Sequence, residues 1–254
     1  MLFALVKKSA AAPARTGGAS IGVDWGLVSM FTTSTGQILG QNLHTWLTER
    51  DSELTALTAQ LQRHGLKPSK SARFRALNTR IRAYVRNEVG RLLNQLATQD
   101  VREIVVEKLD FRFGGLSKRL NRIVSRAGRA AVTKKLASLT ETSGIAVTEV
   151  NPAHTSRTCS GCGYVDARNR TSQQRFRCRF CGRKLLADIN AARTVLGRSG
   201  VQGGWLCWSR DRVLAWLDRE FTARWRYDPT RLRERPTARG RSTAPSLPAE
   251  SIAA

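Results

Sequence analysis

The stretch Ile21-Gly-Val-Asp-Trp-Gly-Leu-Val-Ser-Met-Phe-Thr-Thr33 contains two short runs of β-prone residues that meet at a glycine. Ser34-Thr-Gly36 then offers a turn before a third β-prone run at Gln37–Leu43. Turn residues between short apolar runs are typical of hairpins. This part of the chain therefore predicts three antiparallel strands in a meander.

Helical periodicity replaces the strand pattern after this meander. Apolar residues recur at helical spacing from Leu47 to Leu61 and again from Phe74 to Leu96, which is typical of amphipathic helices. The intervening stretch His64–Arg73 contains the glycine and proline that end helices. A helical hairpin is predicted over about 46–98, and its basic tip could serve equally as a spacer or as a contact for nucleic acid.

Strands and helices alternate beyond the hairpin. Arg102–Asp110 reads as a strand with an apolar centre and acidic end, a helix runs to about Thr142, and Ile145–Val150 reads as another strand. Asp188–Leu196 predicts a last helix that stops at Gly197. This order predicts a mixed α/β sheet with helices packed against it.

A large excess of basic residues narrows the choice of partner. The 254 residues include 43 Lys and Arg against 19 Asp and Glu, a net charge of +24 at pH 7. Such a field attracts polyanions, so nucleic acid is the first partner expected, with a merely basic soluble surface as the alternative. No run approaches the roughly 18–20 apolar residues of a membrane span, and the apolar start Met1–Val6 is too short for a signal peptide. We expect a cytoplasmic protein with no membrane partner.

Four of the five cysteines form two closely spaced pairs. Fifteen residues separate Cys159 and Cys162 from Cys178 and Cys181, which fits a tetrathiolate zinc site. A glycine follows the second cysteine of each pair and lets the backbone close around the metal. Because four protein ligands leave no open position, this zinc would be structural. A redox motif or two disulfides are the alternatives.

The residues around the cysteine pairs are rich in arginine and aromatic side chains. The arginines are Arg157, Arg168, Arg170, Arg175, Arg177, Arg179 and Arg183. Together with Tyr164, Phe176 and Phe180 they could grip a phosphate backbone and stack on bases. The aromatic residues could instead pack the small core of the ribbon, an interpretation favoured for the two phenylalanines more than for Tyr164.

Three acidic residues stand out in this basic chain. Asp24 follows Ile-Gly-Val on the first strand, Glu107 follows Ile-Val-Val on the fourth, and Asp188 opens the last helix. If the first and fourth strands are neighbours, Asp24 and Glu107 meet at one end of the sheet, and Asp188 closes the cluster from above. Clustered carboxylates are neutralised by magnesium or manganese, and two such ions about 4 Å apart can hydrolyse phosphodiesters. Each acid alone could equally be a turn residue, an ion-pair partner or a helix cap.

Five motifs occur in order over roughly residues 20–197: Gly22-Val-Asp-Trp-Gly26, Val105-Val-Glu-Lys-Leu109, Asn151-Pro-Ala-His-Thr-Ser-Arg-Thr-Cys-Ser-Gly-Cys-Gly163, Arg175-Phe-Arg-Cys-Arg-Phe-Cys-Gly182 and Asp188-Ile-Asn-Ala-Ala192. In this order they resemble the C-terminal half of the TnpB family, the transposon-encoded RNA-guided nucleases related to the compact type V CRISPR effectors. The resemblance implies an RNase H-like fold of RuvC type with a helical-hairpin insertion and an inserted zinc ribbon.

The resemblance also implies an activity and its residues. It makes Asp24, Glu107 and Asp188 the catalytic, magnesium-binding acids of a DNA endonuclease directed by guide RNA, and makes the ribbon the part that binds target nucleic acid. Six residues in or beside the ribbon are expected to contact nucleic acid: Thr155, Ser156, Arg157, Arg168, Arg170 and Arg175. A DNA- or RNA-binding remnant or repressor without cleavage is the alternative function, and an independent junction resolvase is a third.

The expected organisation has five parts. They are a leader or linker at 1–20, a nuclease domain at 21–150, the ribbon at 151–186, the last nuclease helix at 187–197, and a helix with a basic tail at 198–254 that is disordered from about Asp228. The tail carries Trp205, Trp208 and Trp216, lies outside the resemblance, and could be a docking helix, a frame-shifted remnant or core packing. Full-length family members carry a large N-terminal portion that holds guide RNA, so a separately encoded N-terminal half is an expected partner.

Overall fold

A computed structural model describes residues 11–26, 29–108, 117–201 and 205–234. Its first three strands are β1 (Ala19–Asp24), β2 (Phe31–Thr33) and β3 (Ile38–Leu39). β2 pairs antiparallel with both of its neighbours, and Asp24 lies opposite Thr32. The predicted meander is therefore confirmed.

Two parallel strands extend this meander into a five-stranded mixed sheet. They are β4 (Val101–Glu107) and β5 (Ala146–Val150), and the strand order is β3-β2-β1-β4-β5. β4 runs parallel to β1, with Gly22 opposite Val105. The first and fourth strands are thus neighbours, as the acid-cluster hypothesis required.

Three long helices cover one face of the sheet. They are α1 (Asn42–Arg63), α2 (Ala72–Ala97) and α3 (Lys118–Ser143). α1 and α2 form the predicted hairpin, in which the rings of Trp46 and Tyr84 stack with centroids 3.8 Å apart. The apolar stripes of the helices join Ile21, Val23 and Ile104 of the sheet in one core, because alternate strand residues point to the same face.

The opposite face of the sheet carries the last helices. They are α4 (Ala187–Leu196), α5 (Arg210–Trp225) and α6 (Pro229–Glu234). Val105 and Val150 pack here against Val195 of α4 and Leu217 of α5. A short hairpin of β6 (Arg175–Arg177) and β7 (Lys184–Leu186) precedes α4 and belongs to the cysteine ribbon.

Two expected boundaries differ in the structure. Within the stretch expected to be a leader, Arg15 donates hydrogen bonds to the carbonyls of Val101 (2.9 Å) and Ser143 (2.9 Å), and β1 already begins at Ala19. Residues 1–10 lie outside the described residues. The expectation of disorder from Asp228 is wrong for α6, because Leu232 is buried in the aromatic cluster beside the ribbon. Residues 235–254 of the expected tail lie outside the described residues.

None of the helices in the described ranges combines the length and the apolar character needed to cross a bilayer.

Candidate functional site

Asp24 and Glu107 lie at the same edge of the sheet. Each is the last residue of its strand, and β1 and β4 are parallel neighbours in which Val23 lies opposite Val106. Side chains alternate along a strand, so Asp24 shares the face of Gly22, and Glu107 shares that of Val105. Both carboxylates therefore lie on the face that α4 covers.

Asp188 reaches this edge from the first turn of α4 because two glycines allow a close approach. A Cβ at Gly22 would lie 2.1 Å from the carbonyl oxygen of Ala192, so β1 and α4 can be this close only without a side chain there. A Cβ at Gly26 would lie 3.2 Å from Asp188 Oδ2. The motif glycines on either side of Asp24 thus make room for the helix and for its acid.

The pKa values of all three carboxyl groups are raised. Burial raises the pKa of Asp24 well above its usual value, and the charges of Glu107 and Asp188 raise it further. Burial also raises the pKa of Glu107 and of Asp188. Because ionisation costs free energy here, the site favours a bound cation that would offset both the desolvation and the repulsion.

Two neighbouring residues partly offset the rise in the pKa of Glu107. The hydroxyl of Thr155 donates a hydrogen bond to Glu107 Oε2 at 2.9 Å, and the charge of Arg198 lowers the pKa of Glu107. Arg198 is itself buried, which lowers its pKa to about 10, and it donates to the carbonyls of Asn151 and Ala153 at 2.8 Å each. Sequence reasoning missed Arg198, because nothing local separates it from the many other arginines of this chain.

Arg170 contributes a positive charge to the acids from the ribbon. Its Nη2 lies 3.3 Å from Asp188 Oδ1 and donates to the carbonyl of Gln173 at 2.7 Å. It also lowers the pKa values of Asp24 and Asp188. The four cysteines are the only group among the described residues that is close enough together to hold one ion. The three acids are farther apart. Three oxygen donors spread around an edge suit hard divalent cations such as magnesium or manganese.

The four cysteines form a closed ligand set. The Sγ atoms of Cys159, Cys162, Cys178 and Cys181 all lie within 4.8 Å of one another, and none of these cysteines is joined in a disulfide. The Sγ atoms of Cys159 and Cys181 are 3.7 Å apart and those of Cys162 and Cys178 are 3.5 Å apart. Zn–S bonds of 2.3 Å in a tetrahedron place sulfurs about 3.8 Å apart, so the set fits zinc.

The backbone around the cysteines follows the sequence expectation. Gly163 (φ +81°) and Gly182 (φ +73°) adopt left-handed conformations. Their amides donate to the carbonyls of Cys159 (2.9 Å) and Cys178 (3.0 Å). A residue with a side chain is strained at such φ values, so glycine allows the backbone to turn tightly after each cysteine pair.

The six residues expected to contact nucleic acid occupy different environments. Arg157 and Arg175 are exposed, whereas Ser156 is half-buried. Thr155 is buried against Glu107. Arg168 is held by Asp166 and by two carbonyls of α6. Among the six, Arg157 and Arg175 are therefore the most accessible to a phosphate backbone.

The aromatic residues of the ribbon are all interior. Tyr164 is fully buried with Phe176 and Phe180, so the idea that Tyr164 is the exposed stacking residue is wrong. The side chains that cover it come from the tail: Phe221 of α5 lies 5.4 Å from the Tyr164 ring and 4.9 Å from that of Phe180. In addition, Trp225 Nε1 donates to the carbonyl of Cys162 at 2.8 Å. The described part of the tail, α5 and α6, thus packs on the core of the ribbon.

Comparisons with known proteins find relatives of part of the chain. Residues 130–195 match the family model described as Cas12f1-like, TNB domain. Over this region the chain is similar to TnpB-like and Cas12f1 proteins. The CRISPR-associated endodeoxyribonuclease Cas12f1 of Sulfoacidibacillus thermotolerans is 44% identical over 62 residues, which are 24% of this chain and 15% of that protein. A TnpB-like protein of Aquifex aeolicus is 32% identical over 119 residues, which are 45% of this chain and 39% of that protein.

Solved structures of compact Cas12 effectors overlap parts of the fold. CasPhi-2 (Cas12j) bound to crRNA matches 57% of this chain and 25% of its own, with 21% identity and a TM-score of 0.38. The mini-RNA-guided endonuclease CRISPR-Cas_phi3 matches 52% of this chain and 20% of its own, with 28% identity and a TM-score of 0.36. The chain thus spans well under half the length of the TnpB and Cas12 relatives it matches.

Proposed function

We propose that this chain is the nuclease part of a TnpB-type endonuclease, with a fold of RNase H-like, RuvC type that hydrolyses DNA phosphodiesters with two divalent ions. The observation that carries the proposal is the meeting of Asp24, Glu107 and Asp188 at one edge of the sheet, with the pKa of each carboxyl raised. Raised carboxyl pKa values at one site indicate a functional cluster.

The sheet order supports the fold assignment. Three antiparallel strands are followed by two strands parallel to β1, and a late helix brings a third acid to β1. This order fits the RNase H-like fold that the sequence motifs imply. The endonuclease names of the relatives support the activity, and the hairpin and ribbon stand as insertions in this scheme.

Each residue of the site has a role in the proposed reaction. Asp24, Glu107 and Asp188 would hold magnesium or manganese ions, which supply an activated water and charge stabilisation at the leaving oxygen. Thr155 orients Glu107 through its hydrogen bond. Arg170, whose guanidinium lies beside Asp188, is placed to contact the phosphate, since arginine donors match phosphate oxygens. Zinc would hold the ribbon that carries Arg170 in place.

Cleavage of labelled single-stranded DNA tests the proposal. We expect cuts in magnesium that vanish with EDTA and fall at least 100-fold in an Asp188→Asn variant, whereas Asp211→Asn, an exposed acid on α5, retains the wild-type rate. Metal-independent cuts, or equal rates for the two variants, would overturn it. DNA binding with no cuts from any version would instead favour the alternative, a non-cleaving nucleic-acid-binding protein.

A second basic surface, a groove between α2 and α3 away from the acids, supports nucleic acid as a partner. Four arginines from α2 and α3, Arg82, Arg86, Arg122 and Arg126, line a groove of about 460 Å³. Within the described ranges none of them has an acidic partner. We propose that it binds the backbone of guide RNA or target DNA. Co-purification from cells, followed by sequencing of the bound nucleic acid, tests this.

A further inference from the structure

A recess adjoins the acid cluster on the side away from Glu107. It has a volume of about 230 Å³. It lies over β2 and β3 and under the start of α4, and its lining includes Thr32, Ile38, Gln41, Gln174, Leu186 and Asp188. Asp188 is thus shared between the recess and the acid cluster.

The strand register fixes the distance from the acids to the recess. Asp24 lies opposite Thr32 on β2, and Thr32 lies opposite Ile38 on β3. Directly opposed side chains share a face of the sheet, and neighbouring strands are roughly 4.8 Å apart, which places Ile38 about 10 Å from Asp24. This corresponds to about three stacked nucleotides at 3.4 Å each.

The lining combines exposed apolar side chains with free amides. Ile38 and Leu186 are 39% and 48% exposed, and they are two of the four large apolar residues left this open in the described ranges. Gln41 and Gln174 are also exposed, and their side-chain amides make no hydrogen bond with other described residues. Asp188 is the only charged residue of the lining. The lining offers no basic side chain to bind a phosphate group, whereas a flat, neutral ring with hydrogen-bonding edges would be accommodated.

We propose that this recess binds an unpaired nucleobase of the strand whose phosphate lies at the acids, one to three nucleotides from the cut. The inference rests on the proposed nuclease function for its choice of strand. Ile38 and Leu186 would contact the faces of the base, as apolar and aromatic side chains do around bases that have left the stack. The amides of Gln41 and Gln174 would pair with its edge, a role in which glutamine suits adenine.

Binding without cleavage provides the first test. The probes are a single-stranded 20-mer and an abasic strand of the same length, titrated by fluorescence anisotropy with calcium in place of magnesium. We expect the wild type to prefer the base-containing strand at least five-fold, and the Ile38→Ser/Leu186→Ser double variant to lose most of that preference. Leu66→Ser, which changes a 56% exposed leucine on the hairpin tip, is the matched control. An unchanged preference in the double variant would overturn the proposal. Gln174→Ala, a change at an exposed side chain, gives the same readout if the double variant misfolds.

Cleavage of oligonucleotides with one abasic position then separates the recess from the nuclease. We expect the rate to fall at least five-fold when the abasic position lies at one site within three nucleotides of the cut, and this dependence to vanish in the double variant. If the wild type cuts and shows no such position, the recess proposal fails and the nuclease stands. If base-dependent binding is lost in the double variant but no version cuts DNA, the nuclease proposal fails and the recess remains a nucleobase site.

Discussion

Among the three acids, Asp24 has the most strongly raised pKa, so its ionisation costs the most free energy. Its folded pKa lies above the unfolded value of 3.8, so its contribution to stability is full below that value and is lost as the pH rises through the folded pKa. At pH 7.5 without added magnesium, Asp24→Asn should therefore raise the melting temperature, by about 2–4 °C for each kcal/mol of relieved ionisation cost.

With magnesium, the wild type should have a higher melting temperature than Asp24→Asn. Because the ion binds the ionised cluster, it should raise the melting temperature of the wild type more than that of Asp24→Asn. Glu149→Gln, a change at an exposed acid on β5, is the control and should leave both effects unchanged. A lower melting temperature for Asp24→Asn at pH 7.5 without magnesium would contradict the cluster.

Thr155 should affect the proposed reaction through its hydrogen bond to Glu107. Thr155→Val keeps the shape but removes the hydrogen bond to Glu107 Oε2, so the pKa of Glu107 should rise further. The acid limb of the cleavage pH profile should then move to higher pH, with about a ten-fold lower rate near neutral pH. Thr155→Ser, which retains the hydroxyl, should restore the wild-type profile; a uniform loss of rate with no pH shift would show a merely structural role.

At the scale of elements, the contact between β1 and α4 depends on one missing side chain. The Cβ of Gly22→Ala would lie 2.1 Å from the Ala192 carbonyl and 2.8 Å from Leu196, so α4 must move off the strand. We expect a loss of about 2–3 kcal/mol in unfolding free energy, measured by urea denaturation, together with loss of cleavage. Gly90→Ala on α2, where a Cβ meets nothing within 4 Å, should instead stabilise by about 0.5–1 kcal/mol.

The folding of the cysteine ribbon should depend on bound zinc. Cys178→Ser removes one of four thiolates, so we expect the zinc content measured by atomic emission to fall from one ion to none and the ribbon to unfold locally. Cys207→Ser changes an exposed thiol outside the cluster and should retain the zinc. An unchanged zinc content in Cys178→Ser would refute the assignment.

For the whole molecule, α5 and α6 join the cysteine ribbon to the five-stranded sheet. α5 places Phe221 among the ribbon aromatics and Leu217 against Val105 of β4, and Arg233 of α6 pairs with Asp218. Phe221→Ala should therefore cost about 3–5 kcal/mol of unfolding free energy. Denaturation followed by tryptophan fluorescence measures this, with exposed Arg219→Ala on the same helix as control; a cost below 1 kcal/mol would show that the tail is only loosely attached.

The local sequence determined much of this protein. Glycines and turn residues predicted the meander, helical spacing predicted the α1–α2 hairpin, and two Cys-x-x-Cys pairs predicted the thiol cluster, because each signal operates between residues close in the chain. The sequence also identified the three acids. It predicted that they meet only if the first and fourth strands are neighbours. The ordered motifs carried the family resemblance.

Only the tertiary structure decided what depends on partners distant in sequence. Parallel pairing of β1 with β4 brings Asp24 to Glu107 across more than eighty residues of chain, and no local pattern encodes that choice. The burial of Tyr164 required α5, some fifty residues away, and the environment of Arg198 required Glu107. The physical reason is common to all three: burial and charge proximity are properties of the packed chain, which short-range periodicity does not specify.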